Sequence, residues 1–428
     1  MPVHDRREFL GLLTGGIAAS ATLPVLSSGT APPSAWPDRR TSLLAARGTD
    51  DEAYWTLVKR EFPVRPGLIM MNAANLCPSP YPVIDTVTQL THDVDMDASF
   101  QNRGKFGALR ERAREAIAAH VGADAAEIAI TRNTSESNNT VVNGLTLGLG
   151  DEVVIWEQNH PTNNVSWEVR AQRMGFTVKK VAIPAAPSST EELVTIFADA
   201  LSRNTKVLSF THVSNVSGVQ LPVKALCRMA RDRGILTLVD GAQSFGAIHL
   251  DLHDMGCDFF TSSSHKWFVG PKEAGILYVR QDQIADLWAN DVGVGWSGAL
   301  ANGARKFENL GQRDDACVAA MGTAAEFHQT IGADLVETRV RSLATALMDK
   351  MKEKIPGVWF TTPTNPELRA GVMIFSVPGT EGRELFGRLY EEKSIATAPR
   401  GTGVRLSAHI YNTMEEVDRV VEAVADLV

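Results

Sequence analysis

The sequence predicts an α/β fold: a large domain with a mostly parallel seven-stranded sheet between helices, then a small C-terminal α+β domain. Three observations predict it. From about residue 126, short apolar runs alternate with amphipathic stretches. Several of these runs are apolar throughout, as strands covered on both faces are. From about residue 315 the pattern changes to long helical stretches followed by a strand pair. Strands that alternate with helices imply parallel pairing, because a parallel connection needs a crossover.

In chain order, the candidate strands are 128–131, 152–156, 177–183, 206–211, 236–240, 258–262 and 275–279. Helical spacing is clear at 193–201 and at 223–233, the latter stopped by Gly234. In the tail, 319–331 and 335–355 read as helices, 372–377 and 403–407 as strands, and 414–427 as a closing amphipathic helix. The large domain is placed at 76–314 and the small one at 315–428, behind an N-terminal arm at 32–75. The arm reads as running along the surface from residue 38 before it enters the fold.

The 428 residues suffice for both domains, and 44% hydrophobic with 21% charged residues is a soluble globular composition. A net charge of −8 argues against a nucleic-acid partner, since phosphate binding needs clustered Lys and Arg. No apolar run is long and clean enough for a membrane span in the mature chain. Residues 1–31 read as a twin-arginine signal peptide: Arg6-Arg7-Glu8-Phe9-Leu10, a mild apolar stretch at 10–26, and a Pro-containing exit. A buried N-terminal helix is the alternative. The leader predicts passage through the twin-arginine export machinery and a periplasmic location. Cys77, Cys227, Cys257 and Cys317 form no C-x-x-C pair and no metal spacing, so they read as free, packed thiols and no metal is expected.

Ligands of an open parallel sheet sit beyond the carboxyl ends of its strands. After 128–131 comes Arg132-Asn133-Thr134-Ser135-Glu136-Ser137-Asn138-Asn139, a polar helix start suited to cradle a phosphate. After 236–239 comes Asp240-Gly241-Ala242-Gln243-Ser244. A carboxylate at the end of a buried strand is costly unless paired, and a pyridinium N–H is one useful partner. Helix capping is the other reading of this Asp. After 258–261 comes Ser262-Ser263-Ser264-His265-Lys266-Trp267. A poorly hydrated Lys there has a lowered pKa and attacks an aldehyde. Each feature alone is commonplace; their order along successive strand ends is not.

This ordered set resembles the class V aminotransferases, which are pyridoxal-phosphate (PLP) enzymes of fold-type I, over roughly residues 69–427. The likeness is carried by residues 132–138, His160-Pro161-Thr162-Asn163, His212-Val213-Ser214-Asn215-Val216-Ser217-Gly218, Val239-Asp240-Gly241-Ala242-Gln243, Ser263-Ser264-His265-Lys266 and Val404-Arg405-Leu406-Ser407, with Tyr411-Asn412-Thr413 behind. The resemblance implies that Lys266 carries the cofactor covalently and later moves the proton at Cα. Asp240 would pair with the pyridine nitrogen, Gln243 with the ring hydroxyl, and His160 would stack on the ring. Thr134, Ser135, Ser263 and His265 would bind the phosphate. Arg405 would clamp the substrate carboxylate with a bidentate fork. Asn72 belongs to the substrate side, and Asn215 lies where the family contacts cofactor or carboxylate.

The cysteine desulfurases of this family carry a nucleophilic Cys on a loop shortly before that Arg. Residues 394–403 hold no Cys. The likeness is greater to the isopenicillin N epimerase-like branch, at residues 70–78, at Phe307-Glu308 and at Gly311-Gln312-Arg313-Asp314. That branch implies a homodimer with active sites at the interface. Gln312 departs from it, standing where the branch has a Thr that reaches the neighbouring subunit's phosphate. With the leader, the chain resembles exported PLP enzymes that tailor pyoverdine siderophore precursors. The expected substrate is an amino acid or the amine terminus of a peptide. Epimerisation, a C–S lyase reaction and non-catalytic PLP binding are the alternatives.

Overall fold

The computed structural model describes residues 36–47, 52–294 and 296–428; the predicted leader lies outside them. Seven strands form one sheet in the spatial order Ile128–Thr131, Gly275–Val279, Phe259–Ser263, Leu236–Asp240, Thr205–Thr211, Glu152–Trp156, Thr177–Val181. Gly275–Val279 runs antiparallel to both neighbours, and the remaining pairings are parallel. Ile128–Thr131 therefore points the same way as the other five, and six strands end at one edge.

Adjacent residues of a strand face opposite sides. Val153 and Ile155 enter one core with Leu238, Phe259 and Leu277. Val154 and Trp156 enter the other with Phe210, Val239 and Phe260. Both faces are covered by helices, which is why these strands read as unbroken apolar runs.

A separate, smaller core lies under a four-stranded sheet ordered Ala398–Arg400, Gly403–Leu406, Met373–Ser376, Trp359–Phe360. Helices Ala333–Lys354, Gly382–Lys393 and Met414–Leu427 supply its apolar residues, among them Leu343, Leu385 and Val420. Helix Asp315–Ile331 behaves differently. It starts four residues before the predicted 319, where the Asp314 side chain accepts from the Cys317 N–H at 3.0 Å. It packs on helices Tyr81–Met96 and Lys105–Val121, and Val318, Met321 and Phe327 join the large core. The position 315 is thus a change of sequence pattern rather than a change of core.

The surface course expected for residues 38–75 is corrected. Helices Trp36–Ala46 and Glu52–Lys59 bury Leu43, Tyr54, Trp55 and Val58 in the large core. The Arg339 guanidinium lies 5.0 Å from the Trp55 ring centre. Ile69–Met70 then pairs in parallel with Ile395–Ala396 and adds Ile69 and Met71 to the small core. The arm ties both cores together.

Several histidines are buried behind the sheet's ligand edge. His328 Nε2 lies 3.1 Å from the Phe268 carbonyl and His409 Nε2 2.7 Å from the Trp267 carbonyl. Burial pushes His212 and His328 down to about 3 and His409 to about 4, against 6.5 when solvated. Between those values the unfolded chain binds more protons than the folded one. Their contribution is therefore complete above pH 6.5 and is lost as the pH falls. His253, raised by its bond to Glu127, acts in the opposite sense: its stabilisation grows as the pH falls toward and below 6.5. We expect denaturant unfolding to show stability falling as the pH is lowered from 6.5 to 5. A denaturation midpoint that does not move over this range would contradict these burials.

Candidate active site

A cavity of about 370 Å³ opens at the edge where the six strands end. Nine of the residues named from sequence line it: Thr134, Ser135, His160, Asn215, Asp240, Ser263, His265, Lys266 and Arg405. They come from five strand ends and from the small domain, so the topology brings them together although they span residues 134 to 405. Asn72 and Gln243 do not line it. Asn72 stands behind Arg405, whose Nη2 donates to Asn72 Oδ1 at 3.0 Å. Gln243 donates to the Ala74 carbonyl at 2.9 Å and accepts from the Trp267 indole N–H at 2.7 Å. It braces the segment next to Lys266 from behind the lining.

Asp240 terminates strand Leu236–Asp240 and is 1% exposed. Its Oδ1 accepts from the Ala242 N–H at 3.0 Å and its Oδ2 from Asn138 Nδ2 at 3.0 Å. Asn138 is fixed in turn by the Thr261 hydroxyl, which donates to its Oδ1 at 2.7 Å. Among the described residues the carboxylate has no ion-pair partner. The following residue must be glycine, because a Cβ on Gly241 would lie 1.8 Å from the Phe260 ring.

Lys266 sits in the loop after strand Phe259–Ser263, between His265 and Trp267. The His265 carbonyl accepts from the Cys77 N–H at 2.8 Å, and the Trp267 carbonyl is held by His409. Burial lowers the Lys266 pKa; the Asp240 charge opposes this and the Arg405 charge adds to it. The amine is thus shifted toward the unprotonated, nucleophilic form.

The opposite wall begins with helix Thr134–Gly144, capped by Asn133, whose side chain accepts from the Glu136 N–H at 3.0 Å. The Ser263 hydroxyl meets both the N–H and the hydroxyl of Thr134, at 2.8 and 2.6 Å. His265 is pushed down to about 4, first by burial and then by the charges of Lys266 and Lys272, so it is neutral at pH 7. This corner offers hydroxyls, a helix N-terminus and a neutral imidazole to an anion. His160, at the cavity mouth, caps helix Pro161–Met174, and its Nδ1 lies 2.8 Å from Thr162 Oγ1.

Sequence reasoning missed Asn138, Thr162 and Arg400. Asn138 follows Thr134 by one helical turn and so shares its face, a signal the spacing contained. Thr162 bridges His160 and the Ser135 hydroxyl, which donates to it at 3.4 Å. Arg400 lines the cavity beside Arg405. The cysteines are free thiols, as expected from sequence, and Cys77, Cys227 and Cys257 are buried. Gln312 is exposed and bonded to Arg103 and to the Arg313 carbonyl, outside this cavity.

The aminotransferase class-V family model matches residues 77–420. An isopenicillin N epimerase of Amycolatopsis lactamdurans is 30% identical over 393 residues, covering 87% of this chain and 98% of that protein. The Streptomyces clavuligerus isopenicillin N epimerase is 29% identical with the same coverage. A probable cysteine desulfurase 2 of Mycobacterium leprae is 29% identical over 73% of this chain and 80% of its own. Among solved structures, the cystine C–S lyase C-DES in complex with cysteine persulfide aligns at a TM-score of 0.78 with 23% identity, over 85% of this chain and 99% of that one. The cysteine desulfurase of Thermococcus onnurineus NA1 aligns at 0.76 with 24% identity, over 87% and 97%. These structural likenesses establish the fold, fold-type I.

Pyridoxal phosphate is the cofactor of this family, and the cavity fits it. Lys266 suits its aldehyde, the unpaired buried carboxylate of Asp240 its pyridine nitrogen, and the Thr134–Ser135–Ser263–His265 corner its phosphate. On the family model and on this arrangement, the chain belongs to the class V aminotransferase family of PLP-dependent enzymes.

Proposed function

We propose that the chain is an exported, periplasmic tailoring enzyme of the aminotransferase type, working as a homodimer. Its substrate would be an α-amino acid or the amine-bearing end of a peptide, siderophore maturation being one such setting. The observation that carries the reading is the convergence of Lys266, Asp240 and Arg405 on one cavity. When bound, the cofactor draws electrons from the substrate Cα and makes its C–H bond acidic. Arg405, buried and fixed by Asn72, binds the α-carboxylate and orients that bond. Lys266 Nζ takes and returns the proton. Asp240 keeps the ring nitrogen protonated, and Asn138 and Ala242 keep Asp240 in place.

Desulfuration fits this chain less well. It needs a thiolate at the substrate, and the thiol near Lys266 is Cys77. Burial pushes Cys77 up to about 12, and its Sγ lies 3.4 Å from the Tyr411 hydroxyl. Such a thiol is inert rather than nucleophilic. Epimerisation is the second reading, favoured by the 29–30% identity to isopenicillin N epimerases.

We expect the purified protein to show the visible absorption of a lysine-linked cofactor, and Lys266→Ala to lose it. Incubated with amino donors, the wild-type enzyme forms a 2-oxo acid if it transaminates and the D-enantiomer if it epimerises. Sulfide release from L-cysteine as its main activity would overturn the reading. Export is tested by cell fractionation: changing Arg6 and Arg7 to Lys should retain the protein in the cytoplasm, and unchanged periplasmic recovery would argue against the twin-arginine route.

A further inference from the structure

Arg400 and Arg405 belong to one antiparallel hairpin. Strands Ala398–Arg400 and Gly403–Leu406 pair with Ala398 opposite Arg405 and Arg400 opposite Gly403. Residues directly opposite share a face, and so do residues two apart on a strand. Arg400 and Arg405 are therefore diagonal neighbours on the same face, about 7–8 Å apart and somewhat closer at their Cβ atoms. The turn between them is tight and needs Gly401 at φ 57°, a left-handed conformation. Both side chains reach the cavity that holds Lys266 and His160.

Neither guanidinium has a carboxylate partner among the described residues. The Nε of each is buried without a hydrogen-bond partner. Two other buried guanidiniums do have a carboxylate partner, Arg114 with Glu308 and Arg339 with Glu52, while Arg369 has none among the described residues. Arg405 is driven down to about 10, first by burial and then by the positive charge of Arg400. Two like charges brought together in a poorly hydrated wall are costly. Anions entering the cavity offset that cost. One carboxylate is fully met by the bidentate fork of Arg405, which leaves the Arg400 fork for a second anion.

We propose that the cavity selects dicarboxylic α-amino substrates, Arg405 taking the α-carboxylate and Arg400 the carboxylate at the end of the side chain. This rests on the proposed function, in which Lys266 serves the substrate's amine. Arg400 is then a specificity residue, and a neutral side chain of equal size leaves its charge desolvated and unpaired.

The test is a binding titration of the holoenzyme, followed by its visible spectrum, with L-glutamate against its neutral isostere L-glutamine. Wild-type enzyme should bind glutamate about ten- to a hundredfold more tightly, the worth of one charged hydrogen-bonded pair. Arg400→Gln should bring the two affinities within about twofold, and Arg400→Lys should keep part of the preference. Equal affinities in the wild type, or a preference that survives in Arg400→Gln, would overturn the inference while leaving the PLP enzyme intact. Loss of cofactor from Arg400→Gln would also overturn it, by assigning Arg400 to the phosphate. No spectral response to any amino acid would defeat the proposed function itself, and the inference with it.

Discussion

The structure is organised around one expensive group, the carboxylate of Asp240. It lies at the end of a central strand with almost no solvent contact. A buried carboxylate must be neutralised or well hydrogen-bonded. Two donors come from the protein, the Asn138 amide and the Ala242 N–H. These fix the helix at Thr134–Gly144 against two strands, since Thr261 holds Asn138 from the next strand. The third partner would be the cofactor's ring nitrogen. The phosphate corner is set by the same helix, so one buried charge positions both ends of the site.

The other half of the site is a rigid loop. Lys266 is flanked by carbonyls bound to Cys77 and His409, while Gln243 holds the Trp267 indole. Two non-glycine residues of that loop have left-handed backbones, Val269 at φ 48° and Glu273 at φ 41°. For a β-branched residue such as Val269 this conformation costs roughly 1–3 kcal/mol. The histidines packed against the loop, His328 on the Phe268 carbonyl and His409 on the Trp267 carbonyl, help to maintain it. The lysine is thus held in position before any ligand arrives.

Much of this was legible in the sequence because strand ends announce themselves. Apolar runs at 236–240 and 258–262 were visible, so Asp240 and Lys266 could be placed at a ligand edge before any contact was known. Three things were not legible. The antiparallel direction of Gly275–Val279 depends on pairing rather than on composition. The arm's burial depends on Tyr54, Trp55 and Val58 finding a core built by distant helices. The place of Arg400 beside Arg405 was not legible, because its face is set by the hairpin register and not by its neighbours in sequence. Gln243's contacts were not legible either: its amide meets Ala74 and Trp267 behind the cavity lining.

In the proposed function Lys266, facing Asp240 and Arg405, makes and unmakes a bond between Cα and a proton. Exchange of the Cα hydrogen for deuterium, followed by proton NMR of an amino acid in heavy water, reads that step without regard to the final product. Holoenzyme should exchange the Cα hydrogen of L-glutamate, and Lys266→Ala with cofactor added should not. Equal exchange in Lys266→Ala, or none from a wild-type enzyme that binds the amino acid, would contradict it.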